Sequence, residues 1–147
     1  DGEKAVMASA AALKKPTAVS LETHAQEWNE IFKGIQGAVD IVAFQDGHVA
    51  YEQLRSYLEV NKKLADQYGL VSWTNTESFD RDMPIKFLPI KFDKLQYKLA
   101  QAAAVGMEKT ITFEFSHFMS PQSAYKQAGH LYQRYTDYYL NSNTQNP

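Results

Sequence analysis

The chain has no cysteine, which removes disulfide frameworks, thiolate metal centres and cysteine nucleophiles from consideration. That absence leaves the compartment open. Glycine is scarce, at 7 of 147 residues, and no G-x-G-x-x-G or other phosphate-cradling loop occurs, so nothing points to a dinucleotide or nucleoside triphosphate. A serine-nucleophile elbow is also missing. Charge of one sign is not in excess: the formal net charge is −2 with acids and bases interspersed, which offers no field for gripping nucleic acid or an anionic membrane. No apolar run approaches the roughly 18 residues that a membrane span needs. The most apolar opening stretch, AVMASAAAL (5–13), is short and follows an acidic start, which argues against a signal peptide. Apolar residues at 44% are enough for one domain with a real core.

Three segments share one pattern, an apolar, β-branched run that turns polar as it ends: VDIVAFQDG (39–47), GLVSWTNTESF (69–79) and KTITFEFSHFMSP (109–121). Each delivers amides, hydroxyls and carboxylates to the C-terminal end of a strand. In parallel α/β folds that end carries ligands and chemistry, because its connections lead into helices and are free to vary.

Between these segments the spacing is helical. Leu21, Ala25, Trp28, Phe32 and Ile35 form one stripe after Ser20, with Gly34 and Gly37 at its end. Residues 39–45 then read as a strand. A second helix runs through Tyr51, Leu54, Leu58, Ala65 and Tyr68, and Gly69 stands where a left-handed C-terminal residue belongs. Residues 70–76 give the next strand, and Phe92, Leu95, Leu99 and Ala103 a third helix closed by Gly106. Ile111, Phe113 and Phe115 alternate with Thr112, Glu114 and Ser116, predicting a strand over 111–116. Ser120 and Pro121 predict a helix start, followed by Ala128, Leu131, Tyr135 and Tyr138. With AVMASA as a first strand, the order is β-α-β-α-β-α-β-α, an α/β class of parallel βα repeats. One partial domain is expected over 1–140 and a polar tail over 141–147. The tandem PIKF-L-PIKF (84–92) reads as a stiff, proline-pinned loop presenting Phe87 and Leu88, with substrate gating as the alternative, and the tyrosines of the last helix as cover for a helix face or subunit contact.

The residues VDIVAFQDG, WTNTESF and ITFEFSHFMSP resemble a family of glycoside-hydrolase-like (β/α)8 barrels, a domain of unknown function in secreted bacterial proteins. The resemblance runs from about Trp28 to Tyr139 and is most specific at Gln45-Asp46-Gly47, Thr112-Phe113-Glu114-Phe115 and Met119-Ser120-Pro121. It implies that the four strands are the C-terminal half of a TIM-type barrel, that the protein is exported, and that the ligand is a carbohydrate. A whole barrel of this type takes about 250 residues. The missing N-terminal half-barrel or a second copy of the chain is therefore the expected partner, and an open flavodoxin-like sheet is the other way to close the fold.

Glycoside cleavage needs two carboxyl groups, one to protonate the leaving oxygen and one to attack or to activate water. Glu77 lies where the resembling barrels place a nucleophile. Glu114, sharing parity with Thr112 and Ser116, is directed into the barrel lumen if Phe113 and Phe115 face the helices, where desolvation raises a carboxyl pKa and suits an acid unless a cation or several donors hold it ionised; the alternative is a structural, hydrogen-bonded carboxylate. Gln45, Asp46, Trp73, Asn75, Ser116 and His117 are the candidate substrate-binding residues. A buried Gln45 amide must find partners, in sugar hydroxyls or in neighbouring strands, and Asp46 also suits a turn or cap. Trp73 suits stacking on a sugar or packing in the core. His48 and His117 follow strand ends beside Asp46, but no His-x-x-x-His pair supports a metal, and neither metal nor cofactor is expected. His24 and His130 are expected on the solvent side of helices. The competing functions are a carbohydrate-active enzyme, a non-catalytic glycan-binding module on the same rim, and an open-sheet scaffold or regulatory domain.

Overall fold

The computed structural model describes residues 7–10, 20–47, 49–81 and 87–144. The chain divides into two compact units, Asp1–Thr76 with Lys98–Ile111 and Glu77–Tyr97 with Thr112–Pro147. Its secondary structure is mixed α/β. A four-stranded sheet runs in the order β1 (Met7–Ala10), β2 (Ile41–Gln45), β3 (Val71–Glu77), β6 (Thr110–Phe113). The first two pairings are parallel, with Met7 opposite Ile41 and Ile41 opposite Val71. Each strand neighbours the next along the chain, so the order has no reversal of the kind that marks a doubly wound sheet.

In the first unit, helices α1 (Leu21–Ile35) and α2 (Tyr51–Gln67) pack on each other. Ser20 caps α1 by accepting the Thr23 N–H at 3.2 Å, and Gly37 at φ 81° turns the chain out of it. Trp28, Phe32 and Ile35 of the predicted stripe pack: Phe32, Val42, Leu64, Ala65 and Leu70 form one apolar cluster, with Trp28 and Ile35 against it, while Leu21 at the start of the helix is exposed. A second cluster joins Phe44, Leu54, Leu58, Ala102 and Met107. Gly69 at φ 70° and Gly106 at φ 81° end their helices in the left-handed conformation, as expected.

His24 departs from its predicted solvent-facing position. Its ring stands 4.7 Å from Tyr57, 5.7 Å from Trp28 and 5.9 Å from Phe44, because position 24 adjoins the Leu21–Trp28 stripe and shares its apolar face. Its Nε2 lies 3.0 Å from the amide nitrogen of Asn61, which is buried on α2 and also donates to the Tyr57 carbonyl at 2.8 Å. His130 is exposed, as predicted.

The second unit contains the short pair β4 (Phe79–Asp80) and β5 (Leu88–Pro89), antiparallel to each other, the start of α3 (Phe92–Ala104), the four-residue α4 (Phe115–Phe118) and α5 (Lys126–Thr144). Helix α5 packs against β5 and α4. Residues 82–86 of the PIKF tandem lie outside the described residues. Phe87 is exposed, with its ring 5.0 Å from that of Phe79.

Three boundaries differ from those predicted. The strand expected over 111–116 stops at Phe113, because the Glu114 carboxylate accepts the His117 N–H at 3.0 Å and caps α4 instead of continuing the ladder. Helix α5 begins at Lys126, not at Pro121: Ser120 and Ser123 each turn the chain, accepting the N–H of Gln122 and of Tyr125 at 3.1 Å. At its far end the helix runs to Thr144, into the segment expected to be a polar tail. No helix among the described residues is long and apolar enough to cross a membrane.

Candidate functional site

The polar residues at the strand ends fall into separate groups, each within one unit. In the first unit, β2 and β3 run side by side with Gln45 opposite Asn75, and the Asp46 N–H donates to the Asn75 carbonyl at 3.3 Å. This brings Gln45, Asp46 and Asn75 together, as expected for neighbouring parallel strands. Asp46 is buried and pairs at 3.1 Å with Lys98 Nζ, itself almost fully buried and 5.6 Å from the Tyr51 ring. Lys98 escaped the sequence reading; its position one turn from Leu95 on the apolar side of α3 was the available signal. Trp73 is half-buried opposite Ala43, with the Lys109 ammonium 5.3 Å from its ring. Neighbouring Ser72, Thr74 and Thr76 are buried.

In the second unit Glu77 is only 2% exposed, and its carboxylate accepts a two-pronged hydrogen bond from Arg81, whose Nε donates to Oε2 at 2.7 Å while a terminal nitrogen donates to Oε1. The guanidinium lies 5.0 Å from the Phe79 ring and 5.4 Å from that of Phe87, so planar aromatic surface and carboxylate hold it together. Arg81 was also missed: its pairing depends on the turn at Ser78 and on β4, which a strand-then-loop reading does not supply. Ser78, fully buried, ties the ends of β3 and β6 within this unit, its N–H donating to the Phe113 carbonyl at 2.8 Å and its hydroxyl to that of Glu114 at 3.0 Å.

Glu114, Ser116 and His117 are brought together in the turn after β6. Oε2 of Glu114 accepts from the Ser116 hydroxyl, and Oε1 accepts from the His117 N–H and contacts its ring Nδ1. The Ser116 hydrogen bond, joined by those from His117, holds the Glu114 carboxyl below the usual carboxylate range against an opposing desolvation. Several donors thus hold the Glu114 carboxylate ionised, the alternative to the raised pKa that burial alone would bring. His117 is largely exposed. His48, the other strand-end histidine, lies outside the described residues. Among the described residues, no cluster of three or more His, Asp or Glu could hold a metal ion.

Residues 3–125 match the model of a domain of unknown function, DUF4434. Among solved structures, a Bacteroides thetaiotaomicron protein described as a "putative alpha-L-fucosidase" is 64% identical and superposes with a TM-score of 0.82. The alignment covers 86% of this chain and 39% of that one, so the chain spans well under half of that relative's length. No curated protein matches.

Proposed function

This chain belongs to the DUF4434 family, and on that premise we propose that it is a glycoside-hydrolase-like, carbohydrate-active domain forming part of a larger barrel. The observation that carries this reading is the strong similarity to a protein described as a "putative alpha-L-fucosidase", covering 86% of this chain. Strand order supports the barrel part: consecutive parallel neighbours are what successive staves of a (β/α)8 barrel have. The remaining staves come from the rest of a longer protein or from a second copy, and the ligand is a carbohydrate. Export is part of the same proposal, resting on the family resemblance alone.

Within it, Glu77 is the proposed nucleophile. Arg81 and the Phe79 and Phe87 rings fix its carboxylate, and attack on an anomeric carbon requires one oxygen to be released from the guanidinium fork. Gln45, Asp46, Trp73, Asn75, Ser116 and His117 are the proposed sugar-binding residues. One observation favours the glycan-binding alternative: both Glu77 oxygens are already satisfied by Arg81.

The test is Glu77→Gln in the longest native form of the protein, assayed on aryl glycosides including the α-L-fucoside. Loss of a nucleophile is expected to slow turnover by about 1,000-fold or more, roughly 4 kcal/mol of barrier. Unchanged turnover discards Glu77 as nucleophile, and sugar binding without turnover in the unsubstituted protein selects the binding module.

A further inference from the structure

The turn after β6 holds a carboxylate and an imidazole whose orientation is fixed from two sides. Glu114 Oε1 accepts the backbone N–H of His117 at 3.0 Å and lies against Nδ1 of the same residue's ring. Glu114 Oε2 is occupied by the Ser116 hydroxyl. The Ser123 hydroxyl donates to the His117 carbonyl, so the histidine backbone is tied from beyond α4 as well. The ring is nevertheless open to solvent: the His117 side chain is 73% exposed, and its Nε2 has no partner among the described residues.

That geometry dictates a tautomer. An anionic carboxylate only accepts, so the proton between Glu114 and the ring sits on Nδ1, and a neutral ring then carries its lone pair on Nε2, the solvent-facing atom. Phe113 and Phe115, on either side of Glu114 in sequence, are each about half exposed and offer the apolar surface that the C–H face of a pyranose prefers. The same Nε2 is chemically a metal ligand, but the described residues around it supply no further ligand set.

The geometry points to Glu114 and His117 as a proton-transfer dyad, in which Glu114 is the positioning residue and His117 Nε2 accepts a proton from the hydroxyl of water or a sugar. In that step the hydroxyl O–H bond breaks and its electron pair stays on oxygen to form the bond to the anomeric carbon. The proton moves to Nε2, and Glu114 balances the imidazolium charge. The bond that breaks at the anomeric carbon is the one to the Glu77 carboxylate, which takes back its electron pair, and the imidazolium then gives its proton to the departing oxygen of the next glycoside as Glu77 attacks it, returning the ring to its neutral form. The identity of the hydroxyl rests on the carbohydrate reading above; the dyad does not.

The experiment is a long-range ¹H–¹⁵N correlation spectrum of the histidine rings in the full chain, above the titration range of an ordinary histidine, with exposed His130 as internal reference. His117 is expected mainly as the Nδ1–H tautomer, and Glu114→Gln is expected to shift it toward the Nε2–H form that free histidine prefers. Ser116→Ala, which leaves both Glu114–His117 contacts, is expected to keep the Nδ1–H form. A His117 that is mainly Nε2–H, or a tautomer ratio unchanged in Glu114→Gln, overturns the dyad. A second arm follows turnover of aryl glycosides by the longest native form. His117→Gln is expected to slow phenyl glycosides by about 100-fold or more, and dinitrophenyl glycosides, whose leaving oxygen needs little protonation, by much less. Equal rates with and without the substitution overturn the proton-transfer role. An Nδ1–H tautomer in a protein that turns over no glycoside sustains the dyad and defeats the glycosidase reading instead.

Discussion

His24 makes the first unit acid-sensitive in a way that can be worked out from its surroundings. Burial among Trp28, Phe44 and Tyr57 lowers its pKa from 6.5 to about 4, because the charged ring loses hydration that the aromatic neighbours do not replace. Asn61 reinforces the neutral form by pointing an amide N–H at Nε2. Above the unfolded pKa the ring is neutral in both states and adds no pH dependence. As the pH falls below it, the unfolded chain takes up a proton that the folded chain refuses, so stability is lost progressively, and the loss is complete below the folded pKa. The displacement is worth at most about 3 kcal/mol, and the ring's partial exposure brings the expectation to about 1–2 kcal/mol. The perturbation is His24→Phe, and the assay is urea unfolding at a series of pH values between about 7 and about 4. Carboxylates titrate alike in both proteins, so the difference between the two pH curves isolates the histidine. The variant also leaves the Asn61 amide short of a partner, which lowers its stability at every pH without changing the slope. The unsubstituted protein is expected to lose about 1–2 kcal/mol more than His24→Phe across that range; parallel curves refute the reasoning.

Lys98→Met removes the cation beside the buried Asp46 carboxylate and is expected to cost about 3–5 kcal/mol in urea unfolding at neutral pH. Arg55→Ala, which breaks an exposed pair with Glu59 on α2, is expected to stay within about 1 kcal/mol in the same assay. Ser20→Ala removes the acceptor for the Thr23 N–H at the start of α1 and is expected to cost about 0.5–2 kcal/mol, read as a lower thermal midpoint.

Elements that rest on one local signal were legible in the sequence. The stripe from Leu21 to Ile35 gave α1, and glycines 69 and 106 marked helix ends, because a left-handed residue there is nearly free for glycine and costly for others. The same stripe contained the signal for His24: it lies three residues after Leu21 and four before Trp28, spacing that puts it on the packed face. Where two local codes competed, alternation misled. Phe113, Glu114 and Phe115 continue a strand's parity in sequence, yet Glu114 finds the His117 N–H within reach and turns the backbone into α4. Glutamate is not among the favoured N-cap residues, so the cap carried no sequence flag. Ser120-Pro121 carried a flag for the wrong event, since a serine hydroxyl that accepts an N–H two residues on makes a turn as readily as a helix start. The pairings of Lys98 and Arg81 were not legible for a different reason: which cation meets which buried carboxylate is decided by tertiary placement, even though the apolar side of α3 flagged Lys98 as a buried position.

Those cations also sort the acidic residues by what they are able to do. Asp46 and Glu77 each lie buried against a positive side chain, which compensates the charge locally and commits the carboxylate oxygens to a protein partner. A ligand approaching either group must displace a cation from it, at a cost set by the desolvation that the pairing now offsets. Glu114 is arranged differently. Its donors are neutral hydroxyl and backbone groups together with an imidazole, and the imidazole passes the carboxylate's influence outward to an exposed nitrogen. Chemistry that needs a proton acceptor facing solvent therefore finds it at His117, while chemistry that needs a fixed anion next to a guanidinium finds it at Glu77. On the proposed reading, the two requirements of glycoside cleavage, a nucleophilic carboxylate and a group that exchanges protons, are divided between Glu77 and Glu114 acting through His117, where the family resemblance and sequence parity together had pointed to a pair of glutamates.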